Sequence, residues 1–279
     1  MKRCLLYCAC VFLSCFTVHA QTVKTPVASA FTRLNTYSTL HANAFSFDGN
    51  QAALAGIKNV SAGVYSEKRF LLKELSMYTA AVALPTTSGN FGLKADYFGD
   101  ASYNETGLGL AYARKLGNKI DVGIQFNYYS FKTAGYGNAS AVNAEAGMIL
   151  HITDELNVGF HVYNPTSVTI GKTGEEKMPA IYAAGLGYDV SSRLFMGAEI
   201  EKIEDQPVNV NAGMQYYFDE KLFASAGISS AVASYYFGFG VAIKNIQLSA
   251  VASIHPQLGI TPGLMLLFNA NNKSNNNSE

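Results

Sequence analysis

The chain has 279 residues with 20 Lys plus Arg against 20 Asp plus Glu, so its formal net charge is zero and nothing in its charge balance suits nucleic acid. Hydrophobic residues make up 49% and charged residues only 14%, below the ~25% charged of ordinary soluble domains. No stretch after the first twenty residues has the ~18 continuous apolar residues of a membrane helix, so low charge must come from another pattern.

The chain opens as an export signal. Lys2 and Arg3 precede an apolar stretch from Leu5 to Phe16, and Val18-His19-Ala20 forms a small-residue cleavage site, which predicts a mature chain beginning at Gln21. Phe12-Leu13-Ser14-Cys15 is a poor lipobox and argues against a lipoprotein. All four cysteines lie within this signal. The mature chain is therefore expected to carry no disulfide and no thiolate metal site.

Residues 21–58 have no sustained alternation. Asn50, Gln51, Ala52, Ala53 and Leu54 begin a short helix-like stretch closed by Gly56. This segment is expected to form a plug or hatch inside a barrel, with those five residues as its candidate core.

From residue 59 the sequence alternates apolar and polar for about ten residues at a time. The runs are 59–67, 73–84, 89–99, 104–116, 119–132, 139–152, 155–163, 179–190, 193–203, 207–218, 221–229, 234–243, 246–255 and 262–269. Tight turns at Gly117-Asn118, Thr153–Glu155, Ser191–Arg193, Asp219–Lys221 and Lys244-Asn245 alternate with looser connections such as Lys132–Ser140 and Asn164–Met178. The pattern predicts an all-β fold, a transmembrane antiparallel up-and-down barrel of about fourteen strands, with twelve as an alternative count. Outward apolar side chains would meet outer-membrane lipid, and 17 Tyr and 17 Phe would supply interfacial girdles. Short turns and both termini would face the periplasm. An Asn-rich tail, 270–279, lacks an apolar face and is expected to be disordered.

Parity along the strands selects the candidate polar lining of the lumen: Asp121, Gln125, Asn127, Asn143, Glu145, His161, Glu199, Glu201, Asn209, Asn211 and Gln215. Lys94 and Asp96 share that parity. Buried carboxylates must be paired or hydrated, so these residues are either ion pairs locking a filled barrel or a polar lining for a solute. Small inward residues, among them Gly107, Gly109, Gly185, Gly187, Gly238 and Gly240, either make room for the N-terminal segment or relieve crowding. Glu67-Lys68-Arg69-Phe70 and Glu175-Glu176-Lys177 read as solvated charge runs on outer loops. Ser253 and His255 share a face without an orienting acid, and no His/Asp/Glu group has metal-ligand spacing. No enzyme, metal or cofactor is expected.

Ala44-Phe45-Ser46, Asn50-Gln51-Ala52-Ala53-Leu54-Ala55 and Val60-Ser61-Ala62-Gly63-Val64-Tyr65 resemble the lead-in to the first strand of the PorV/PorQ group of Bacteroidetes outer-membrane proteins, within the FadL-like barrels. Gln51 stands where that group often has Pro. The resemblance implies two jobs. PorV-like members are barrel partners of type IX secretion, and FadL-like members pass hydrophobic small molecules through a barrel gated by an N-terminal hatch. The compact span, about fifteen residues per strand including connections against the ~9–11 a strand needs, leaves little for large ligand-capturing loops. It favours a larger membrane-protein partner in an envelope machine of secretion or barrel-assembly type, with hydrophobic uptake as the alternative and a bare structural barrel as a third reading.

Overall fold

The computed structural model describes residues 29–171, 176–230 and 233–270. The signal, residues 21–28, Gly174, Glu175 and nearly all of the Asn-rich tail fall outside that range.

Fourteen strands close into one antiparallel barrel. They are β1 (Ser61–Lys68), β2 (Ser76–Thr86), β3 (Gly89–Gly99), β4 (Tyr103–Leu116), β5 (Ile120–Thr133), β6 (Gly137–His151), β7 (Leu156–Tyr163), β10 (Ile181–Asp189), β11 (Leu194–Ile203), β12 (Val208–Tyr217), β13 (Leu222–Ser229), β14 (Ser234–Ile243), β15 (Ile246–His255) and β16 (Gly259–Asn269). A two-stranded hairpin, β8 (Thr169–Ile170) and β9 (Glu176–Lys177), sits in the connection between β7 and β10. Each barrel strand pairs with its sequence neighbour, and β1 closes on β16 with Ser61 opposite Asn269 and Glu67 opposite Gly263. Closure leaves no strand edge bare, as hydrocarbon demands.

The alternation forms the wall for a simple reason. Every second side chain points outward, and in the fifth strand Ile124, Phe126 and Tyr128 are exposed while Asp121, Gln125 and Asn127 are buried. Tyr78, Tyr97, Tyr103, Tyr182 and Tyr235 are exposed near one end of the cylinder, and Phe91, Tyr188, Tyr216 and Phe268 near the other. Amphipathic rings at two levels are what interfacial girdles require.

Three expectations need correction. Lys132–Ser140 is not a loop: β5 and β6 continue to Thr133 and from Gly137, leaving a three-residue turn. Its glycines read as loop, yet Gly135 and Gly137 with positive φ bend a tight turn. The second strand starts at Ser76, because residues 69–75 coil into two 3₁₀ turns. The last strand is longer than expected and begins at Gly259.

Residues 31–57 run through the barrel as short helical turns, apart from an exposed excursion at Thr39 and Leu40, and include a 3₁₀ turn over Gln51–Gly56 capped by the Asn50 side chain on the Ala52 N–H. The lumen has two unlike halves. On β14–β16 and β1–β4, inward Ala81, Ala83, Ala111, Val251, Met265 and Leu267 form an apolar cluster with Phe31, Phe45, Phe47 and Leu54 of the segment. On β5–β7 and β10–β12, the segment meets mostly polar side chains and bare glycine.

Candidate functional site

The candidate site is the contact between this segment and the inner wall. Arg33 and Asp48 are the only charged residues between positions 29 and 57, and both are used. The Arg33 guanidinium donates to Glu199 at 3.2 Å and to Glu201 at 3.3 Å. The Tyr37 hydroxyl donates to the other Glu199 oxygen at 2.7 Å. Asp48 pairs with Lys94, which also lies 3.2 Å from Asp96. Asp96 in turn accepts from the Thr79 hydroxyl at 2.8 Å. A charge taken out of water needs a partner and hydrogen bonds, and each pair here supplies both across the segment–wall boundary.

Glu145 is the hub of the neutral contacts. Its carboxylate accepts from Gln51 of the segment at 2.6 Å and from Asn127 at 2.6 Å, with Gln125 at 3.3 Å and His161 Nε2 at 3.1 Å. Asn127 also donates to Asn143 at 3.0 Å. Asn50 donates to the carbonyls of Met148 and Phe160. Asn90 on the apolar half donates to the carbonyls of Leu54 and Ile57 at 2.7 Å each. A second set of contacts lies at the end where the segment leaves the lumen. Asp189 accepts from the Ser38 hydroxyl and the Thr39 N–H, and Asn157 donates to the Tyr37 carbonyl. His151 joins Asn157 at 2.6 Å to Asp121 at 3.0 Å, and Lys115 lies 3.5 Å from Asp121.

Glycine makes these approaches possible. A Cβ on Gly123 would run into the Gln51 backbone, one on Gly147 into the Asn50 amide, and ones on Gly185 and Gly187 into Tyr37. Gly123 pairs with Gly147 across β5 and β6, so the two clear one flat patch for residues 50–52. Gly107, Gly109 and Gly240 make room instead for wall side chains: Tyr129, the Gln125 and Asn127 amides, and Phe223.

The expected residues are distributed as follows. Asp121, Gln125, Asn127, Asn143, Glu145, His161, Glu201 and Gln215 are buried, and Glu199, Asn209 and Asn211 are half-buried. The structure gathers Gln125, Asn127, Asn143, Glu145 and His161 around Gln51, and Glu199 with Glu201 around Arg33. Asn209 donates to Asn211 and accepts from the Ser229 hydroxyl, and Gln215 donates to Tyr217. Those three do not contact the segment through any of these hydrogen bonds. Asn50, Gln51, Ala52, Ala53 and Leu54 are all buried.

The run Glu67–Phe70 is not a solvated loop. Glu67 is 2% and Arg69 6% exposed; they pair at 3.0 Å, Tyr65 donates to Glu67, and Arg69 lies 5.0 Å over the Phe98 ring. Arg69 folds back into the barrel mouth, where it lines a cavity of about 50 Å³ with Met77, Asp96, Phe98, Glu105 and Tyr129. In the other run the Lys177 side chain is exposed. Sequence reasoning also missed Arg33, Tyr37 and Asp48. The signal was available for two of them, because a lone charge in an apolar segment needs an opposite charge somewhere. Ser253 and His255 form no nucleophile–base pair: His255 Nδ1 accepts the N–H groups of Gln257 and Leu258 and so closes a turn. Among the described residues no three His, Cys, Asp or Glu side chains are grouped to hold a metal.

No protein-family profile and no curated protein matches the chain. Solved structures do resemble it. The monoaromatic hydrocarbon channel CymD superposes with a TM-score of 0.66 at 12% identity, covering 88% of this chain and 97% of CymD. The Ralstonia pickettii toluene transporter TbuX gives 0.61 at 10% identity, covering 88% and 98%. A Pseudomonas aeruginosa FadL homologue gives 0.57 at 11%, covering 83% and 94%. At such identities the likeness is one of fold alone: a closed antiparallel β-barrel like those of these channels.

Proposed function

We propose that the protein is a non-enzymatic outer-membrane passage for hydrophobic small molecules, with residues 31–57 as its hatch. The observation that carries this reading is the unlike lining of the two halves of the lumen. Beneath Phe45, Phe47 and Leu54 the wall is Ala81, Ala83, Ala111, Val251, Met265 and Leu267. If the segment shifts, that part of the wall becomes an apolar track, while the Arg33 pairs with Glu199 and Glu201 on the polar half and the Asp48–Lys94 pair on β3 seat the segment. The names of the similar structures, channels and transporters for toluene and other monoaromatic hydrocarbons, support the same class of solute. The tight turns and both chain termini would face the periplasm, and the β7–β10 connection the exterior. The division into signal 1–20, hatch 21–58, barrel 59–269 and tail 270–279 belongs to this proposal.

Its test uses intact cells lacking other hydrocarbon channels, whose outer leaflet resists apolar solutes. Expression should raise uptake of radiolabelled toluene and leave a small sugar unchanged. No rise for toluene, or an equal rise for the sugar, would contradict it.

The second reading is a partner subunit of an envelope machine, of the PorV/PorQ type in type IX secretion. It is favoured by one feature: apart from the β1–β2 and β7–β10 connections, the turns on the exterior side are only a few residues long. The reported structural neighbours lend it no support. Gentle-detergent purification from native membranes would bring down a larger protein if this reading holds, and an unaccompanied barrel if it does not.

A further inference from the structure

The outward face of the wall is not uniformly filled. Across β6, β7, β10 and β11 the register aligns two outward rows. One row is Ala146, Val162, Tyr182 and Lys202; the next is Met148, Phe160, Ala184 and Ile200. Many other outward positions are Leu, Ile, Phe and Tyr, which stand far from the sheet. Here Ala146 and Ala184 lower the floor, and a cleft of about 570 Å³ opens between Phe160, Met148 and Ile200. It lies within the lipid-facing band, so hydrocarbon covers it. At the end placed outside by the proposed orientation, Lys202 is the register partner of Tyr182, both line the cleft, and the Lys202 ammonium donates to the Gln206 carbonyl of the adjoining turn.

A trough of apolar side chains ending in a cation and a phenol matches an acyl chain ending in a phosphate. Lys acts on phosphate as a point charge, and a Tyr at the interface offers its hydroxyl at headgroup level. A second outward cleft, also about 570 Å³, crosses β10–β14 over Ala198, Ala212 and Ala226 but has no charged residue in its lining. It is a built-in control for hydrocarbon filling without a headgroup. We infer that the cleft over β6–β11 is a binding site for a phosphorylated, acylated glycolipid of the outer leaflet, with an acyl chain over Ala146 and Ala184 and a phosphate at Lys202 and Tyr182. The inference rests on the outer-membrane placement and orientation proposed above, not on solute passage.

The test is native mass spectrometry of the full chain in gentle detergent, challenged with lipid A or with phosphatidylethanolamine, for the wild type and for Ala184→Phe and Lys202→Glu. Both substitutions lie on the outer face, away from the hatch. The wild type should retain one lipid A through delipidation, and each variant should lose at least about tenfold in retention while keeping its folded, heat-modifiable band. Three results would overturn the assignment: no lipid A adduct, an adduct indifferent to both substitutions, or equal retention of phosphatidylethanolamine. Toluene uptake by the same variants separates the two readings. Uptake unchanged with lipid lost supports the lipid site, whereas absent uptake with lipid retained sinks only the passage.

Discussion

The two halves of the lumen hold the same segment by different physics. On β14–β16 and β1–β4 the seat is mainly packing, Phe45, Phe47 and Leu54 against Ala, Val, Met and Leu, with directional bonds confined to β3, where Lys94 meets Asp48 and Asn90 meets the Leu54 and Ile57 carbonyls. Such contacts are strong, roughly 25 cal/mol per Å² buried, but they do not dictate one position along the wall. On β5–β7 and β10–β12 the seat is a set of directional bonds, Arg33 to Glu199 and Glu201, and Gln51 to Glu145. Those bonds fix the register of the segment and fail if it shifts by an ångström or two. A hatch needs both properties. Under the proposed function, the apolar packing would give a surface over which the segment and an apolar solute slide, and the directional bonds would give a defined closed position.

The sharpest way to break this comparison is to reverse the cation. Arg33→Glu would set three carboxylates together in the lumen, and removing one partner of a buried pair costs about 3–5 kcal/mol. The barrel should persist, since its strands do not depend on Arg33, while residues 31–57 leave the lumen. Limited proteolysis should then cut the segment in the variant and spare it in the wild type; equal resistance would show that the ion pairs do not set the closed state.

On the apolar half, Leu54→Ala should cost about 3 kcal/mol through lost burial and a cavity, with the segment still in register. Thermal unfolding would fall while the proteolysis pattern stayed that of the wild type. Early cleavage instead would mean that the apolar half also fixes position. Gly123→Ala should cost about 1–3 kcal/mol by overpacking, because its methyl meets the Gln51 backbone. Compensation by shortening a nearby side chain should fail, since the obstacle is main chain.

The smallest effect lies outside the membrane. The N–H groups of Lys221 and Leu222 hold the Asp219 carboxyl below the ordinary carboxylate range. A depressed value means that its contribution is present above that ordinary range and is lost as pH falls through the depressed one. Asp219→Asn should flatten only this acid limb of a thermal-unfolding profile and leave hatch protection untouched. A change in hatch protection would couple the turn to the lumen, contrary to the account.

How much of this was legible in the sequence follows from range. Alternation is local, so the strands from 89–99 to 246–255 are found within a few residues of their bounds. Parity is local too, which is why Glu145, His161, Glu199 and Glu201 could be assigned to the inner face. Pairing is not local. Arg33 meets Glu199 and Glu201 across 166 and 168 residues, and only the closed barrel brings them together. The error at Glu67–Phe70 has the same origin. A charge run looks solvated until the chain is seen to bend, with Phe70 and Leu71 at positive φ, so that Arg69 turns inward over Phe98. Gly135 and Gly137 signalled a loop when they were shaping a turn.

The claim beneath all of this is that the apolar inner wall stays covered until the polar contacts release the segment. A single cysteine at Ala111, within the buried cluster, reports on that directly in signal-free protein, where all four native cysteines are gone. With Arg33 intact, a water-soluble maleimide should label it very slowly, and in the Arg33→Glu background labelling should become fast. Rapid labelling with Arg33 intact, or equally slow labelling in both, would contradict the account.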